Sequence, residues 1–190
     1  MARHASHFSD SGWILVPFIM EILFDPYSVV TDSTEGLLLA RGGSSKILFV
    51  CNPMTEEYVV LPCLYDNIWI YGFGLSKISG QYKVLSGPVF SGSYLVYTLG
   101  GGGSWRSIFA SPPGSPVMLH NNAIFCNGNL HWLVSHFDFE DRYMVCCFDL
   151  ETELFNSFAL PPHVSDSDIH GKYRLCILEG RLCLCYCLGG

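Results

Sequence analysis

One pattern occurs twice in this chain and begins a third time. Gly36-x-Leu38 leads through a turn to Phe49-Val50-Cys51-Asn52-Pro53-Met54-Thr55-Glu56 and then to Leu61-Pro62. Gly128-x-Leu130 leads in the same way to Cys146-Cys147-Phe148-Asp149-Leu150-Glu151-Thr152-Glu153 and then to Leu160-Pro161. Gly180-x-Leu182-Cys183-Leu184 opens the pattern again. Each copy reads as strand, hairpin, strand, turn, strand. The Thr-Glu of each copy sits at a tight turn, where Asn, Asp and Thr side chains bond nearby amides. The Leu-Pro ends the outgoing strand, because proline cannot donate to a ladder. A unit of this size cannot bury its own apolar face, so copies must stack. The expected fold is therefore all-β and antiparallel, with propeller-like repeats that are incomplete in number. A sandwich with similar hairpins is the competing architecture.

The rest of the chain follows the same grammar. Short apolar or alternating runs end at Gly, Pro, Asn or Ser, and helical periodicity is nearly absent. Strands are expected at Gly36–Ala40, Ile47–Cys51, Tyr58–Leu61, Trp69–Leu75, Tyr82–Leu85, Ser93–Leu99 and Trp105–Ile108. Further strands are expected around Phe125 and at Leu130–Val134, Tyr143–Leu150, Leu154–Leu160, Leu175–Leu178 and Leu182–Cys187. One helix is conceivable over Val16–Phe24, and residues 1–12 read as a loose tail.

Composition narrows the function. Apolar types make up 49% of residues and charged types only 14%, so the chain must hide much of its surface. The formal charge is −7 and the ten basic residues form no cluster, which argues against a nucleic-acid partner. The longest apolar run, Trp13–Phe24, is interrupted by Glu21 and is too short for a membrane span. Nine cysteines, several in strand-like runs, together with the absence of any N-x-S/T acceptor, suit a reducing compartment, cytoplasm or nucleus.

No catalytic constellation stands out. Cys183-x-Cys185-x-Cys187 shares one strand face, about 7 Å from one to the next, a spacing that suits packing better than zinc. Gly100–Gly103 lacks the Lys-Ser/Thr and helix of a phosphate loop. His131-Trp132 lies mid-strand without a nucleophile. Asp138, Glu140 and Asp141 lack the order of a calcium loop, and Asp166 and Asp168 add nothing to it. No metal, cofactor or catalytic residue is expected. Tyr65, Trp69, Trp105 and Arg106 are the candidate partner-binding residues, because Trp, Tyr and Arg are enriched at binding hot spots and loops on rigid sheets carry function.

Several segments in this order resemble one family. They are Gly36-Leu37-Leu38-Leu39, Val50-Cys51-Asn52-Pro53-Met54-Thr55-Glu56-Glu57-Tyr58 and Tyr71-Gly72-Phe73-Gly74 with Ser79-Gly80-Gln81-Tyr82-Lys83-Val84. Val96-Tyr97-Thr98 with Ser104-Trp105-Arg106, Asn127-Gly128-Asn129-Leu130-His131-Trp132-Leu133 and Phe148–Glu153 with Leu160-Pro161-Pro162 complete them. The chain is similar to the F-box-associated domain of plant F-box proteins. The resemblance implies a kelch-like module that captures a target protein for a cullin-type ubiquitin ligase. It also implies the Skp adaptor and cullin as partners where an F-box is present. Residues 1–35 lack the L-P-x-D/E start and K-x-W end of an F-box, so they are expected to be a tail or a degenerate remnant. The domain proper is expected over 36–190, truncated at its C-terminal end. A stand-alone or decoy binding fragment without ligase recruitment is the alternative.

Overall fold

A computed structural model of the chain describes residues 14–15, 29–42, 47–63, 68–88, 94–108, 117–118, 123–135, 143–161 and 173–186. Every regular element among them is a strand. The first sheet has the order β1-β5-β4-β3-β2, with β1 at Ile14–Leu15, β2 at Val29–Thr34, β3 at Leu37–Arg41, β4 at Leu48–Asn52 and β5 at Glu57–Val60. The second sheet is β6 (Ile68–Leu75), β7 (Tyr82–Pro88), β8 (Tyr94–Thr98) and β9 (Arg106–Ile108), paired in that order. In the third, β12 (Asn129–Ser135) pairs with β13 (Tyr143–Asp149), which pairs with β14 (Phe155–Ala159). Two short strands, β10 (Val117–Met118) and β11 (Ile124–Cys126), share the other edge of β12. The fourth sheet is the hairpin β15 (Tyr173–Leu178) and β16 (Arg181–Tyr186). All pairings are antiparallel, the arrangement expected of propeller blades.

The sheets stack in chain order because their strands are apolar on both faces. Leu37, Leu39, Leu48 and Val50 of the first sheet meet Phe73, Val84 and Tyr97 of the second. The other face of the second sheet, with Leu85, Val96 and Ile108, meets Leu130, Trp132, Cys146 and Phe148 of the third. Leu133 and Tyr143, on the reverse of the third sheet, meet Leu175 and Leu184 of the fourth. The first sheet also buries its outer face, at Ala40, Phe49, Cys51 and Tyr58. This double burial explains why residues 37–40 and 48–51 read as unbroken apolar runs instead of alternating ones. The leading strands lie side by side across the sheets: β2 beside β6, β6 beside β11 and β12, and these beside β15.

Two glycines of β6 permit the closest of these approaches. A Cβ at Gly72 would stand 2.7 Å from the Cβ of Ala123, and one at Gly74 would stand 2.6 Å from both Leu150 and Phe125. Between them, Phe73 points the opposite way, into the first sheet's core. The Tyr71-Gly72-Phe73-Gly74 segment thus serves two neighbours at once.

One difference from the sequence reading concerns the first 35 residues. β1 and β2 lie in the stretch expected to precede the domain, yet both pair into the first sheet. Asp32, Ser33 and Thr34 make β2 look like a turn; its strand character comes from pairing with β3, through a register shift between Val30 and Asp32. The helix considered over Val16–Phe24 falls outside the described residues.

A rim of hairpin turns as the candidate binding site

Three hairpins turn in the same way. Glu35-Gly36, Asn127-Gly128 and Glu179-Gly180 each have positive φ at both residues, the requirement of a type I′ turn between strands of right-handed twist. They join β2 to β3, β11 to β12 and β15 to β16, which bears out the threefold echo of Gly-x-Leu. A second kind of turn joins β4 to β5 and β13 to β14. Asn52 Oδ1 accepts from Met54 N (2.9 Å), and Asp149 Oδ1 accepts from Glu151 N (2.7 Å) and Thr152 N (2.9 Å). Glu56 and Glu153, at the matching position, have φ of 58° and 57°.

Antiparallel alternation puts all these turns at one end of their sheets, and side chains stitch the ends together. Lys77 Nζ donates to Asn127 Oδ1 at 2.8 Å, and Cys126 Sγ lies 3.7 Å from Gly180 O. Glu151 accepts from the Ser76 hydroxyl and from Ser79 N. The Ser76 bond, then the Ser79 amide, hold the Glu151 carboxyl below its ordinary value. The turns of the second, third and fourth sheets are thereby fixed to one another in a rim.

Charge is paired beneath this rim. Lys83 Nζ bonds Leu150 O at 2.6 Å and Glu153 Oε1 at 3.0 Å, while Arg106 Nη2 reaches the same oxygen at 2.6 Å. Burial works to raise the Glu153 carboxyl, but the Arg106 and Lys83 bonds outweigh it and hold it below the usual carboxylate range. Lys83 is buried, whereas Arg106 keeps 55% of its side chain in solvent.

The residues singled out for partner contact are divided. Tyr65 lies outside the described residues. Trp69 sits on β6, in register with Gly87. Trp105 donates its indole N–H to Pro62 O at 2.9 Å and packs on Tyr97 with ring centroids 5.4 Å apart. Neighbouring Trp105 and Arg106 therefore reach in different directions, one to the first sheet and one to the third. Gly100–Gly103 forms an exposed turn between β8 and β9. His131 is buried with Nδ1 3.2 Å from Ile124 O, and burial lowers its pKa. The acidic groups at 138–141 and 166–168 lie outside the described residues.

Sequence reasoning missed the most exposed apolar groups of the rim. Met54 is 88% exposed and Ile78 is 83% exposed, each at a hairpin tip. The signal was present in principle: an apolar residue inside a turn sequence has no core to enter. Among the described residues no group of three His, Cys, Asp or Glu converges as metal ligands would. What this end of the molecule offers is a rigid surface of exposed turns, with apolar tips at Met54 and Ile78 and carboxylates at Glu35, Glu56 and Glu179.

The profile of the F-box associated beta propeller domain matches residues 4–189. Two putative F-box proteins of Arabidopsis thaliana are 28% and 29% identical to the chain over 160 and 167 residues, in each case 82% of its length. An F-box protein of the same plant is 35% identical over 144 residues, 73% of the chain. The aligned parts make up 35%, 40% and 28% of those three proteins, so the chain spans about a third of the curated relatives it matches.

Proposed function

The chain belongs to the F-box associated β-propeller family, and on that premise we propose that it is the target-recognition module of a cullin-type ubiquitin ligase. The observation that carries the proposal is the family match over residues 4–189. Its relatives are named F-box proteins. The role is binding, without catalysis or cofactor, and its compartment is the cytoplasm or nucleus. The Skp adaptor and cullin join it wherever an F-box accompanies the domain.

The target docks on the rim. Met54 and Ile78 supply apolar contacts, and Trp105 and Arg106 flank them on the outer part of the second sheet; Tyr65 and Trp69 remain separate candidate contacts, Trp69 lying at the end of β6 away from the rim. Loops on a rigid scaffold are the usual carriers of recognition. The carboxylates of Glu35, Glu56 and Glu179 and the chain's formal charge of −7 favour a target surface that mixes basic and apolar groups.

Affinity capture from plant extract with the tagged chain, followed by quantitative mass spectrometry, tests this reading. The expected result is a target retained by the native chain and lost with Met54→Asp plus Ile78→Asp, with Skp adaptor and cullin recovered when an F-box is fused to the chain. Capture that the double variant leaves unchanged would remove the rim from the proposal. Failure of the fused protein to bring any ubiquitin onto the captured target would overturn the ligase role.

A further inference from the structure

The β15–β16 hairpin carries a pair of closely placed thiols. Cys176 stands opposite Cys183 in register, and Cys185 follows two residues later on the same face. That face is the reverse of the one through which Leu175 and Leu184 pack on the third sheet. Cys183, though directly opposite Cys176, turns its Sγ toward Arg181 O at 3.6 Å. The Sγ of Cys185 instead comes to 2.7 Å from that of Cys176. Only a small rotation of either side chain separates this from the bond length of about 2.05 Å in a disulfide. Cys185 is exposed and Cys176 half-buried.

We propose that Cys176 and Cys185 form an oxidant-responsive dithiol site whose disulfide locks the fourth sheet. The oxidant is a hydroperoxide. The exposed Cys185 thiolate attacks the peroxide O–O bond and becomes a sulfenic acid, releasing an alcohol or water. Cys176 then attacks that sulfur, and water leaves as the S–S bond forms. Two thiols lose two hydrogens in total and the peroxide is reduced. A low-molecular-weight thiol reverses the bond by exchange. The lock matters because a sheet of two strands has little stability of its own. In the reduced chain the hairpin is held by its packing on Leu133 and Tyr143.

The test is peptide mapping of the whole chain before and after peroxide. Trypsin cuts after Arg174 and Arg181, so residues 175–181 carry Cys176 while residues 182–190 carry Cys183, Cys185 and Cys187. The expected product is these two peptides joined under non-reducing conditions, with fragmentation placing the bond at Cys185. The bond survives Cys183→Ser and disappears with Cys185→Ser. Amide exchange over residues 173–186 of the oxidised native chain slows by about tenfold or more. A bond to Cys183 or Cys187, no bond at a dose that converts Cys185 to a trappable sulfenic acid, or exchange unchanged by oxidation would overturn the proposal. The mapping and exchange measurements use the native chain and do not depend on how the variants fold.

Discussion

Lys83 Nζ lies 3.0 Å from Glu153 Oε1 and ties the second strand of the second sheet to a turn of the third. The ammonium is buried and has a second acceptor in Leu150 O. Removing it leaves a carboxylate that is only 14% exposed with a single, solvent-facing partner in Arg106. Lys83→Met is therefore expected to cost about 2–4 kcal/mol, because stripping one partner from a buried pair strands the other charge. Arg106→Ala is expected to cost under about 1 kcal/mol, in keeping with a partly exposed pair. Urea midpoints of the two variants check the order; equal losses would show that the buried lysine carries no special share.

Glu56 and Glu153 occupy the same left-handed position in equivalent turns, but Glu153 has a buried partner in Lys83. A glutamate at φ near +57° bears a backbone cost of about 1 kcal/mol that glycine would not. Glu56→Gly is thus expected to stabilise the chain by roughly 0.5–1 kcal/mol, since its side chain is exposed. Glu153→Gly relieves the same strain yet breaks the bonds to Lys83 and Arg106, so it is expected to destabilise. Thermal melts of the pair decide the matter, and a shift of the same sign in both would refute the distinction.

The backbone of β6 is held between two sheets with no room to spare on the third-sheet side. Gly74→Ala sets a Cβ 2.6 Å from Leu150 and Phe125, and Gly72→Ala sets one 2.7 Å from Ala123. Each is expected to cost about 1–3 kcal/mol through overpacking. Ala123→Gly is expected to recover part of the loss from Gly72→Ala and none from Gly74→Ala. Non-specific recovery of both would mean that strand propensity, not the approach of the sheets, governs these positions.

Much of this architecture was legible because turns leave local marks. Asn52 and Asp149 announce their turns by side-chain bonding, the Leu-Pro pairs end β5 and β14, and the Glu-Gly and Asn-Gly pairs set type I′ hairpins. β2 was not legible. Its Asp32 and Thr34 are polar, and their burial depends on sheet neighbours distant in sequence. The cysteines divide for the same reason: Cys51, Cys126 and Cys146 are buried, as small apolar strand residues should be, whereas Cys185 is exposed. Strand alternation places Cys183 and Cys185 on one face, but the sequence does not reveal whether another sheet covers it. Lys83 was equally opaque, since its partner Glu153 is brought in by stacking of separate sheets.

Asp32 joins the first two sheets through a bond from Phe73 N to Oδ2 at 2.9 Å, with Ser33 N on Oδ1 at 2.8 Å. Burial pushes its carboxyl up to about 6, and the two amide bonds only partly oppose this. The folded value lies above the ordinary 3.8, so the folded chain keeps a proton that the unfolded chain has already lost. The contribution of this group is complete below about pH 4 and is lost as pH rises through 6, a total change of about 3 kcal/mol. Asp32→Asn retains an acceptor for Phe73 N and cannot ionise. The stability of this variant relative to the native chain is therefore expected to improve by about 2 kcal/mol between pH 4 and pH 7. Urea unfolding of both chains across that range measures the difference directly. A difference independent of pH would mean that the Asp32 carboxylate is as well solvated in the folded chain as in the unfolded one.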